Sequence, residues 1–132
     1  MATMATIRFV EESQATGEVK AVFDEVKAML RMPFVPQLFR ALAVNPAHLV
    51  STWDQVKTVM MTGTLDLRTK AIAALAVAAA TRCPYFVSAH TAILKRLGAT
   101  DAELEELMTV VQLAIGLNAY VAGLDLEPDL RR

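Results

Sequence analysis

The sequence predicts an all-α protein, a bundle-like packing of about six helices. Apolar residues recur at intervals of three and four along most of the chain, and no stretch alternates apolar with polar as a half-buried strand would. Turn residues are few, with glycine and proline at five each, while alanine, leucine, valine and methionine supply most of an apolar content of 55%.

Residues 1–15 read as irregular. From Gly17 to Leu30 the apolar positions Val19, Val22, Phe23, Val26, Met29 and Leu30 keep amphipathic helical spacing. "MPFVPQ" interrupts it, because Pro33 and Pro36 cannot continue a helix interior, and Pro36 can open a short helix in "PQLFRALAV". Asn45 before Pro46 marks a helix start, a capping side chain followed by a proline in the first turn. Leu49, Val50, Trp53, Val56, Val59 and Met60 are expected on its inward face, and it should end near "TGT". A helix from about Leu67 to Thr81 is apolar nearly all round and is expected to be central. Cys83-Pro84 breaks it, and Pro84 opens the next helix, which closes at Gly98. Thr100 with Glu103 forms a capping box for the last helix, whose apolar face should include Leu104, Leu107, Val111 and Leu117. No linker or repeat divides the chain, so one domain over 1–132 is expected.

Bulk properties exclude several classes. A net charge of -1 gives no global attraction to nucleic acid or anionic lipid, and there is no basic stripe. No phosphate-cradling glycine loop and no spaced His/Cys set for zinc are present, so no cofactor or metal is expected. The greasiest run, Ala71 to Ala80, is too short to span a bilayer, and a membrane partner is not expected. A single cysteine and a start without a signal-peptide core suit a reducing cytoplasm. Mean hydropathy of +0.38 is high for a soluble chain and implies apolar surface covered by other subunits.

The chemistry-bearing stretch is "RCPYFVSAH", Arg82 to His90. On a helix, position 86 shares a face with His90, and Phe86 has no ionisable group to offer it. Cys83 is seven residues from His90, roughly 10 Å along a helix axis, beyond any thiol–imidazole hydrogen bond. With one cysteine, no disulfide within the chain can form. Cys83 beside Arg82 at a helix start is either a favoured thiolate or a small packing thiol. His90 is either a buried, hydrogen-bonded histidine or a site residue. Tyr85 could donate to a ligand or sit buried and locally satisfied. Lys70 and His48 are expected at solvated positions, Trp53 in the core.

"TRCPYFVSAHTAILKRLGATDAEL", with "ATGEVKAVFDEVK" and "FVPQLFRALAVNPAHLVSTWDQVK" before it, resembles the AhpD-like alkylhydroperoxidases, the superfamily that includes the carboxymuconolactone decarboxylases. The resemblance covers nearly the whole chain. It implies a motif of glutamate, eleven residues, then Cys-x-x-Cys-x-x-x-His, in which the second cysteine attacks the hydroperoxide and the first closes a disulfide. The histidine and glutamate relay protons. Carried over, the first cysteine is Cys83 and the histidine His90, whereas Phe86 stands at the second cysteine and Ala71 at the glutamate. Tyr85 sits where a polar aromatic or histidine is often found.

The resemblance also implies a homo-oligomer, a trimer or a hexamer built from dimers. Three functions stay open: a His90-based non-redox activity on a small organic ligand, a non-catalytic binding or scaffold protein, and a thiol peroxidase using Cys83 alone.

Overall fold

Helices form where the periodic segments stand, and the breaks fall where proline or a capping side chain interrupts the backbone. The computed structural model describes residues 5–130, so the first four of the irregular residues expected at 1–15 lie outside the described residues. Among the described residues there are six α-helices and no strand: α1 (Gly17–Leu30), α2 (Gln37–Leu42), α3 (Pro46–Met61), α4 (Leu67–Ala80), α5 (Pro84–Arg96) and α6 (Asp101–Gly123), with a 3-10 turn at Glu12–Gln14 before them. The all-α fold class is as expected. The helices gather into two compact units that divide after Gly63.

In the first unit α1 and α2 both pack on α3. Its core is Val19, Phe23, Val26, Val35, Phe39, Ala43, Leu49 and Trp53. Asn45 caps α3 by accepting from the His48 N–H at 3.4 Å, and Pro46 occupies the first turn, where a missing N–H costs nothing. Trp53 meets Phe39 edge-on, with ring centroids 5.4 Å apart. Its indole N–H donates to Glu25 Oε1 at 3.1 Å, so the one polar atom of a side chain only 1% exposed is satisfied. Lys57 Nζ reaches the same carboxylate oxygen at 2.6 Å. The lysine bond, with the indole bond beside it, holds the Glu25 carboxyl below its ordinary range. Val59 departs from its expected inward position. It is exposed, because six residues beyond Trp53 carry it far round the helix from the buried face.

In the second unit α4 packs against both α5 and α6, the central place expected for it. Asp66 caps α4 by accepting from the Thr69 N–H at 2.7 Å. The core is small: Ala71, Leu75 and Leu94, with Val87, Ile93, Ala99, Leu104 and Leu107 packed around them. α4 is nevertheless not buried all round, since Ile72 and Val77 are exposed. α5 ends in a Schellman turn. The Ala99 N–H donates to Leu94 O at 2.9 Å across Gly98, whose φ of +91° a residue with a Cβ rarely adopts. Thr100 and Glu103 then form the expected reciprocal capping box. Arg68 ties α4 to α6 through an ion pair with Glu103 and a hydrogen bond to Leu97 O.

α6 departs most from expectation. Leu104, Leu107 and Val111 are half-buried, but Leu117 is exposed, and α6 contains no fully buried residue. Among the described residues it is the one helix long and apolar enough to cross a membrane by length and composition, where the sequence reading looked to Ala71–Ala80.

Replacing Trp53 with alanine removes the largest fully buried side chain and one of the two hydrogen bonds to Glu25 Oε1. Chemical denaturation should show a loss of about 3–5 kcal/mol. Thr100→Ala, which removes one capping box, should cost only about 1 kcal/mol in the same experiment.

Candidate functional site

The turn between α4 and α5 sets the geometry of the site. α4 closes in a second Schellman turn: the Cys83 N–H donates to Ala78 O at 2.9 Å and the Arg82 N–H to Ala79 O at 3.2 Å. This requires Arg82 at φ +56°, a left-handed conformation that glycine adopts more easily. Cys83 is therefore both the last residue of that turn and the N-cap of α5, with Pro84 in the first turn. Its carbonyl accepts from the Val87 N–H at 2.9 Å, while its thiol makes no capping hydrogen bond and is half-buried.

From this start α5 runs as a regular helix, so Phe86 and His90 stand one turn apart on one face. Their rings stack, centroids 5.2 Å apart and planes inclined by 18°. Tyr85 meets Phe86 edge-on at 5.2 Å. Three consecutive rings thus climb the first two turns of α5. Phe86 and His90 are half-buried, but Tyr85 is 41% exposed, against the expectation of a buried tyrosine. Ala71, on α4, is fully buried in the small core with Leu75 and Leu94.

His90 Nδ1 is buried and has no hydrogen-bond partner. Burial lowers the pKa of the ring below its ordinary 6.5, since a charged imidazole there would lose hydration with no partner to replace it. The ring is therefore neutral at physiological pH and can accept or donate a proton. The position four residues before it carries a phenyl ring and no sulfur, as the sequence shows. Among the described residues no group of three His, Cys, Asp or Glu side chains is placed to hold a metal.

The remaining candidates fall apart. His48 is exposed, as expected. Lys70, expected at a solvated flank, is half-buried. Sequence reasoning brought Phe86 and His90 together correctly. It missed the orphaned Nδ1, because spacing shows which residue lies beneath a ring and not what faces its edge.

The sequence pattern of the carboxymuconolactone decarboxylase family matches residues 47–126. The crystal structure of an alkylhydroperoxidase AhpD core from Rhodospirillum rubrum superposes with a TM-score of 0.90 at 39% identity, covering 96% of each chain. Two curated relatives are an (R)-2-haloacid dehalogenase of Pseudomonas putida, 30% identical over 79% of this chain, and an alkyl hydroperoxide reductase of Mycobacterium tuberculosis, 31% identical over 86%. This chain spans only 35% and 33% of their respective lengths. The stacked site helix thus sits in a fold shared with a hydroperoxidase core, and the chain belongs to the carboxymuconolactone decarboxylase family.

Proposed function

We propose that this chain works without the two-cysteine hydroperoxidase cycle of its AhpD-like relatives and uses neutral His90 as a proton acceptor or hydrogen-bonding group for a small organic ligand. The observation that carries this reading is the Phe86 ring stacked on His90 at the position where the resemblance expects the attacking sulfur. A thiol reaction needs sulfur next to the base, and this face of α5 offers a phenyl ring.

The unpaired Nδ1 favours a working histidine over a structural one. A buried polar atom without a partner costs about 1–3 kcal/mol, so its retention calls for a reason beyond packing. One relative is an (R)-2-haloacid dehalogenase, so likeness to this chain extends beyond hydroperoxide reductases. A second reading, a non-catalytic binding or scaffold protein, draws on the same stack, because Phe86 fills the place of a reactive group with apolar volume.

His90→Leu tests the assignment. A structural histidine would lose a hydrogen bond on removal, but Nδ1 has none to lose. The variant should therefore keep its melting temperature within a few degrees, while small organic acids that bind the wild type in ligand-observed NMR should cease to bind. Wild type and variant that both fail to bind would favour the scaffold reading.

The same residue sets a pH dependence. The unfolded imidazole titrates at its ordinary 6.5, and the folded one lower. Between those values the unfolded chain binds more protons, so stability falls as pH drops through 6.5 towards the folded value and is unaffected by His90 above 6.5. Melting curves from pH 7.5 to 5 should show this decline in the wild type and less of it in His90→Leu.

Phe86→Cys tests the missing redox centre. It puts a sulfur four residues before His90 and two cysteines one helical turn apart at the start of α5. With a hydroperoxide, the new pair would give up two protons and two electrons, yielding the alcohol, water and a disulfide. The wild type should show little turnover with an organic hydroperoxide and a dithiol, whereas the variant should form a peroxide-dependent disulfide. Truncating a half-buried phenylalanine should also cost about 1–3 kcal/mol. Rapid wild-type turnover that disappears in Cys83→Ser would overturn the proposal in favour of a one-cysteine peroxidase.

A further inference from the structure

The two ring nitrogens of His90 are in different situations. Nδ1 is buried without a hydrogen-bond partner, whereas the side chain as a whole is only half-buried and Nε2 is not enclosed in the same way. A neutral imidazole carries one proton, and its place decides which nitrogen donates and which accepts. With the proton on Nδ1, the buried edge would hold an N–H without an acceptor, the rarer kind of buried orphan. With the proton on Nε2, the orphan is a lone pair, and the N–H is left on the edge that solvent reaches. The second arrangement leaves less unsatisfied, and it is also the form that a free imidazole side chain prefers.

The surroundings of that edge are apolar. Phe86 stacks on the ring at 5.2 Å, and Tyr85, 41% exposed, stands edge-on to Phe86. An aromatic body can therefore lie along these rings while its polar atom meets Nε2. No charged group acts on the imidazole, since burial is the one cause of its lowered pKa.

We infer that His90 is the Nε2–H tautomer and donates that proton to the carbonyl or carboxylate oxygen of an aryl ligand. Resting on the reading of His90 as a ligand-binding group, this assignment makes its outward nitrogen a donor and not a base. A base at the same edge would need its lone pair outward, which only the Nδ1–H tautomer provides. The two differ in their response to pH. Imidazolium keeps the Nε2 proton, so donation survives as pH falls through the folded pKa, whereas acceptance is lost.

The chain has two histidines, His48 and His90, so long-range proton–nitrogen spectra of the rings at pH 8, assigned with His90→Leu, read the tautomer. His90 should show a protonated Nε2 and a bare Nδ1. The reverse pattern would overturn the tautomer and leave His90 as a ligand-binding base. In ligand-observed NMR, benzoate and acetophenone should bind, the stronger of the two telling carboxylate from carbonyl. Benzylamine, with the same ring and no acceptor oxygen, should not. Binding of benzylamine as tight as that of benzoate, or benzoate binding that is lost between pH 8 and 5, would overturn the donor role. His90→Gln places an amide N–H near the Nε2 position and His90→Asn near Nδ1, so the asparagine variant should bind benzoate at least about tenfold more weakly than the glutamine one. Equal affinities would count against Nε2. An Nε2–H tautomer with no probe bound would instead remove the ligand-binding reading itself, and the ligand class with it.

Discussion

The turn at Thr81–Cys83 is the constraint on which the site depends. It reverses the chain within three residues and sets the rotational phase of α5 against α4. One outcome is structural: Leu94, three turns along α5, lands against Ala71 and Leu75. The other is functional, because the same phase turns His90 inward with Nδ1 buried. The turn is achieved with a non-glycine residue in the left-handed region, at a cost of about 1 kcal/mol or more. Arg82 is held there by two hydrogen bonds that close the end of α4. A slip of one residue in this turn would rotate α5 by about 100°, separating Leu94 from its core and His90 from its burial together. Core packing and site geometry are therefore not independent properties of this helix.

Burial without a partner decides what His90 can do. An imidazole beside a carboxylate is drawn towards the charged form, whereas desolvation alone drives it towards the neutral one. His90 is in the second situation, and Ala71, at the position where the resemblance expects a glutamate, is enclosed among apolar side chains. A carboxyl introduced there would itself be pushed towards its protonated form. The chain thus differs from the two-cysteine pattern in two coupled ways, lacking both the sulfur and the group that would charge the base. A neutral histidine under an aromatic ring is suited to sharing a hydrogen bond with a ligand without carrying charge itself.

Much of this was legible in the residues. Asn45-Pro46, Cys83-Pro84 and the Thr100–Glu103 box are local signals, so these helix starts could be read directly. The stacking of Phe86 on His90 follows from a four-residue interval and needs no tertiary information. The exposure of Tyr85 could not be read in this way, because it depends on how α5 is turned against α4, which spacing within α5 does not fix. The orphaned Nδ1 was equally hidden, since it depends on what packs around the ring's edge. Leu117 was a different kind of error. It lies six residues beyond Val111, a rotation of about 600°, so angular counting would have removed it from the core face and put it on the exposed side with Val110 and Leu113. Val59 stands in the same relation to Trp53.

The placement of apolar residues also bears on stability. The first unit has eight buried side chains in one cluster, including Trp53 and Phe23. Among the described residues the second has a buried cluster of Ala71, Leu75 and Leu94, with Ala78 also buried and no aromatic side chain among them. A unit of fewer than about eighty residues with so few buried groups gains little from its own core. Its apolar content is instead displayed on α6. His90 belongs to that second unit, so the helix that carries the site rests on this small core and on the Arg68–Glu103 pair that ties α4 to α6.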